Sequence, residues 1–333
     1  MINMSSTGNA DADAGFQRAA NFWQNIFIDP ITVNVTADFR QLSPNVLGSA
    51  GSQSISTTYS AMRAALAADA TSADDATMVA GLASGSTYSK LINGTTDSGG
   101  AAHLQTGIST LIMTTANAKA LGLVAGDAAG QDAEITFSSA IDFDFDQSDG
   151  IGAGLWDFVG IAIHELGHAM GFISGVDVLD YNSGGPLAGW FSDADFSPDA
   201  TTLDFTRCSQ ASRTAGAVMD WTIGRAAKDF AIDGNCTALV SDAWSTGQTH
   251  GDGRQASHWK DTNPSGFGVG IGIMDPTGVW DGHMNVVTAR DVQAFDVIGW
   301  SLRVNAVPEP TSLLLVGSAF LGMGAVRRRA RPA

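Results

Sequence analysis

Residues 158–172 read FVGIAIHELGHAMGF, and at their centre stands His164-Glu165-Leu166-Gly167-His168. On an α-helix, side chains four apart share a face, so this spacing aims both imidazoles at one point, with Glu165 at the rim of that face. Val159, Ile161, Ile163, Leu166 and Met170 give the helix apolar flanks, and Gly171 suits the turn that ends it. Neutral imidazoles are good zinc ligands, and a neighbouring carboxylate can take a proton from water that the ion has acidified. The plain alternative is a helix with two packed or solvated histidines. With 6 His in 333 residues, and glutamate restricted to Glu134, Glu165 and Glu309, the pattern has a chance expectation of about 0.001. It is therefore read as a zinc site, with His164 and His168 as ligands and Glu165 as catalytic base.

A hydrolytic zinc site takes three protein ligands and keeps one position open. A third ligand of the glutamate type is nearly excluded, because the one glutamate after Glu165 is Glu309, far down the chain. The compact spacing that puts a histidine six residues after His168 fails too, since Ser174 stands there. His250, His258, His283 or an aspartate are left.

The motifs taken together resemble the leishmanolysin-type metzincins. The resemblance runs from about residue 155 to about residue 300, through HELGHAMGF at 164–172, Ser257-His258-Trp259 and Ile273-Met274-Asp275-Pro276. The segment from Thr288 to Trp300 is similar to the helix that closes such catalytic domains. In that group a long insertion precedes the third histidine and a methionine turn follows it. The resemblance implies His164, His168 and His258 as ligands of one Zn2+, Glu165 as base, and Met274 as the Met-turn residue beneath the metal. It implies an α+β zincin with an N-terminal sheet-plus-helices subdomain, an active-site helix and a loop-rich C-terminal subdomain. The activity implied is metalloprotease cleavage of protein or peptide substrates, with the strand at 132–139 as the edge that pairs with an extended substrate. A non-enzymatic alternative is an exported surface or matrix protein braced by a structural or vestigial zinc. Such a site has no need of Glu165 and normally has a fourth protein ligand.

Val307-Pro308-Glu309-Pro310, an apolar run at 313–326 and Arg327, Arg328, Arg329 and Arg331 resemble a PEP-CTERM sorting tail. Exosortases of Gram-negative bacteria handle such tails. The resemblance implies a protein exported to the cell surface or secreted, with 304–333 as the tail and an exosortase-type enzyme as partner. Before processing, its transmembrane helix would lie in the inner membrane with the arginines cytoplasmic. Counted with its flanking small residues the run is about 16 long, marginal for a ~30 Å hydrocarbon layer. Export in turn makes a disulfide between Cys208 and Cys236 the expectation.

Charge narrows the partners. There are 34 acidic residues against 17 basic, a net charge of −17, which repels phosphate backbones and excludes nucleic acid. Membrane contact is expected only through the C-terminal helix. Residues 1–14 are small and polar, without the basic and apolar parts of a signal peptide, and are expected to be disordered. Residues 15–172 form the N-terminal catalytic subdomain, and 173–303 carry the insertion, third ligand and methionine turn. Helices are expected at 16–27, 57–68 and 73–83, and after the capping box Thr288-Ala-Arg-Asp291. Strands are expected at 31–35, 111–113 and 132–139, and a hairpin about Asp233-Gly234-Asn235. Asp142, Asp144 and Asp146 alternate with apolar residues, which reads as a charge-protected edge strand or, more sharply, as a Ca2+ site.

Overall fold

The computed structural model describes residues 1–303 apart from 45, 185–189, 263–268 and 278–281. The sorting tail and its expected membrane helix lie outside the described residues, among which no helix is long and apolar enough to cross a membrane. The architecture is mixed α+β.

Ala12, Phe16, Ala19, Ala20, Trp23 and Ile26 recur at helical spacing and form the buried face of α1 (Ala10–Ile26). Asn9 caps it, its side chain accepting from the N–H groups of Asp11 and Ala12. This start and strand β1 (Ile2–Met4) occupy the stretch expected to be disordered. The polar average of that stretch hides one anchor: Ile2 is buried and pairs in register with Val33 of β2 (Val33–Arg40).

After β3 (Gly48–Ser52) and β4 (Ser54–Thr58) come helices α2 (Tyr59–Asp69) and α3 (Ala73–Gly81), close to their expected bounds. Next are β5 (Tyr88–Ile92), β6 (His103–Ile108), β7 (Thr110–Thr114), α4 (Thr115–Ala120) and β8 (Ala133–Ser138). The main sheet has the order β1-β2-β8-β3. β1, β2 and β8 run parallel, and β3 is antiparallel to β8. The expectation that 132–139 is an edge strand is therefore overturned. β8 is paired on both sides, which suits its inward Ala133, Ile135 and Phe137, and β3 holds the edge.

Helix α5 (Phe158–Ala169) carries the histidine motif and packs with α1 against this sheet. Phe16 and Phe137 lie 4.9 and 5.0 Å apart from, respectively, Phe158 and Phe16, ring centre to ring centre. A Cβ on Gly15 would fall 2.5 Å from the Phe158 ring, so a glycine there lets α1 approach α5. Trp23 Nε1 donates to Ile163 O at 3.0 Å and ties the two helices together.

Residues beyond α5 form short pieces: α6 (Val176–Asn182), α7 (Gln210–Ala215), α8 (Ala289–Asp296) and strands of two residues. The capping box expected before α8 is present, with Thr288 and Asp291 bonded reciprocally. Cys208 and Cys236 form a disulfide, their Cα atoms 5.9 Å apart. It closes the turn at Asp233, where Cys236 N donates to Asp233 O and Leu239 N donates to Phe230 O.

At the seam of α3 and α8, Ser72 Oγ donates to Asp296 Oδ2 at 2.7 Å, while the buried Asp296 Oδ1 has no partner among the described residues. Burial, aided by the charges of Asp75, Asp74 and Asp69, pushes the Asp296 carboxyl up to about 7. An acid whose folded pKa is raised stabilises the fold below its unfolded pKa of about 3.9, and that contribution is lost as pH rises through the folded value. Asp296→Asn should therefore behave like the parent below about pH 4 and be more stable near pH 8, by on the order of 1–2 kcal/mol. Paired thermal melts across that range measure the difference, and a gap that does not widen with pH would contradict it.

Candidate metal centre

Asp157 starts α5 by accepting from Gly160 N at 2.9 Å, and Gly171, at φ +115°, turns the chain after Met170. Ala162, Ile163, Leu166 and Ala169 are buried on the core side. Gly167 leaves room for Met274: a Cβ there would fall 2.5 Å from Met274 Sδ. Met274 is fully buried against the middle of the motif, and its carbonyl accepts from Trp259 N at 2.9 Å.

His164, His168 and His258 meet at one point and are the one group of three or more potential ligand residues so gathered among the described residues. Each Nδ1 faces a backbone carbonyl: Ile273 O for His164 at 2.7 Å, Phe172 O for His168 at 2.7 Å, Gln255 O for His258 at 3.3 Å. A carbonyl only accepts, so each Nδ1 carries the proton and each Nε2 keeps a lone pair. Those Nε2 atoms converge, His168 lying 3.1 Å from His164 and 3.2 Å from His258. Lone pairs this close repel unless a cation sits among them. Tetrahedral zinc with Zn–N of about 2.0–2.1 Å spaces its nitrogen ligands roughly 3.3 Å apart, so the donor set fits such an ion.

Burial keeps these rings neutral, as ligands must be. It pushes His168 down to about 3, with the His164 charge adding to the effect. His164 is lowered by burial, and His258 well lowered by burial and then by the charges of His168 and His164.

Aspartates hold the segments that bring these groups in. Asp177 on α6 accepts from Ala256 N at 2.6 Å and Ser257 N at 3.1 Å, immediately before His258. Asp291 accepts from Ile273 N at 2.8 Å, Met274 N at 3.3 Å and Trp259 Nε1 at 2.8 Å, which fixes the carbonyl that orients His164. Asp157 also accepts from Asn285 N at 2.8 Å. Of the three, Asp157 could be found in the sequence as the polar residue before an apolar helix, and Asp291 was part of the capping box. Asp177 has no local signal, because its partners lie 79 and 80 residues on.

Glu165 is 8 % exposed and lines, with the three histidines, a cleft of about 740 Å³. Burial pushes its carboxyl up to about 8, and a cation at the Nε2 cluster would draw it back down. One wall of the cleft is the edge strand β3; Ile141, Trp156 and Ile161 make it apolar.

The remaining histidines and the acidic run lie elsewhere. His250 donates its backbone N–H to Asp180 at 2.8 Å and sets Nε2 3.2 Å from Ser183 O. His103 pairs with Asp193 at 2.7 Å, and His283 is exposed. Asp142, Asp144 and Asp146 do not gather as a calcium site would require. Asp144 accepts from the backbone of Asp146 and Gly152, Asp146 from that of Ser148 and from Arg18, and Asp142 is exposed. Only Phe143–Asp144 of that segment is strand, paired in parallel with Trp156–Asp157, so these carboxylates shape a turn.

Residues 306–329 match the PEP-CTERM protein-sorting motif. That match indicates export to the envelope of a Gram-negative bacterium and handling by an exosortase-type enzyme. No curated protein and no solved structure matches the chain significantly.

Proposed function

We propose that this chain is an exported zinc-dependent endopeptidase of the leishmanolysin-like metzincin type. The observation that carries the reading is the convergence of three Nε2 lone pairs in one cleft with Glu165, beside the edge of a sheet. His164, His168 and His258 would hold the ion. Zinc there supplies Lewis acidity, polarising a carbonyl and acidifying water. Glu165 accepts the proton of the attacking water and delivers it to the departing amine as the peptide C–N bond breaks. β3 offers its unpaired N–H and C=O groups to an extended substrate, which would orient the scissile carbonyl in the cleft. Asp157, Asp177 and Asp291 act through the backbone, keeping the ligand-bearing segments in place before substrate arrives.

A purely structural zinc is disfavoured by Glu165 and by the lack of a fourth ligand in the group among the described residues. The direct test is casein cleavage by the zinc-loaded protein. We expect fragments that disappear on chelation and return with added zinc; intact casein throughout would overturn the proposal.

A further inference from the structure

A second trough, of about 320 Å³, adjoins the metal cleft, and Gln255 lines both. One wall is α6, which turns Val178 and Tyr181 outward; the other is the loop bearing Gln248 and Thr249. The walls are tied together by backbone N–H groups on carboxylates. Asp180 accepts from Thr249 N at 2.6 Å and His250 N at 2.8 Å, and Asp177 grips the segment before His258. The trough is therefore preformed, and these two carboxylates already have partners.

The surface offered to a ligand has a different character. Tyr181 is 83 % exposed, with Val178 beside it on the outer face of α6. The side-chain amides of Gln248 and Gln255 are exposed and make no hydrogen bond among the described residues. A side-chain amide presents one donor group and one acceptor, the complement of a peptide unit, and a tyrosine ring adds a flat apolar face that loses little entropy when covered. Such a set suits uncharged polypeptide main chain rather than a metal or a small anion.

We propose that a substrate chain leaving the metal cleft past Gln255 continues into this trough. The protein then selects long unfolded polypeptides over short peptides, and Tyr181 packs against the continuing chain. This rests on the endopeptidase reading, since the wall that the two clefts share at Gln255 is what identifies the occupant.

Fluorescein-labelled casein peptides of about four and about sixteen residues, sharing a central sequence, reach roughly 14 and 56 Å when extended. Polarisation binding to the zinc-loaded Glu165→Gln protein measures affinity without turnover. The longer peptide is expected to bind at least about tenfold tighter. Tyr181→Ala, at an exposed position, should remove roughly three- to tenfold of that gain and leave the short peptide unaffected. Equal affinity at both lengths, or a Tyr181→Ala loss absent from the long peptide or shared by the two, overturns the inference. The endopeptidase reading fails separately if the parent protein binds the long peptide and leaves it uncut.

Discussion

His258→Ala is expected to lose metal binding and hydrolysis together, whereas His250→Ala keeps most of both. The two residues lie eight positions apart in sequence, yet only His258 brings its Nε2 to within 3.2 Å of His168. His250 is engaged with Asp180 and Ser183 in a different wall of the molecule. Losing an outer partner of a metal ligand typically costs 10–100-fold in affinity, so removing a ligand outright should exceed about a hundredfold. Competition against a zinc-binding dye, with casein cleavage on the same samples, measures both properties. If His250→Ala were the dead variant, the three-histidine site would be the wrong one.

Glu165→Gln separates binding from chemistry. The amide keeps the shape of the carboxylate but cannot take a proton, so zinc content should match the parent while turnover falls by roughly 10²–10⁴-fold. The carboxylate makes no hydrogen bond to the histidines, whose Nδ1 protons are all held by backbone carbonyls. The substitution therefore leaves the ligand set undisturbed. Parental casein hydrolysis by a zinc-replete Glu165→Gln would end the assignment of Glu165 as base.

What could be read in the sequence was local. The buried face of α1, the capping box of α8 and the paired histidines of α5 all depend on neighbours within a turn or two. The Gly48–Ser52 edge strand could not be read, because GSAGS has no alternation of its own and is a strand only by pairing with β8. For the same reason the edge role that the resemblance implied for 132–139 failed: its character as a strand was visible, but its number of partners was not. The acidic run at 142–146 showed its charges without showing that backbone N–H groups claim Asp144 and Asp146. The third histidine needed a family resemblance, since a 90-residue separation carries no periodicity.

The two ends of the described body are sewn to each other. Phe27 bridges to Leu302, Ile28 N donates to Ser301 O at 3.0 Å, and Arg303 N donates to Ile26 O at 2.8 Å. Synthesis makes residue 26 early and residue 303 only as the sorting tail follows it. Helix α1 must therefore wait for residues 301–303 before its end is covered, and non-local closure of this kind is slow. Met274 and His258 also arrive late, so the three-histidine cluster with its Met274 support cannot be completed before residue 274 has been made. On the proposed reading, activity would be postponed by the order of manufacture.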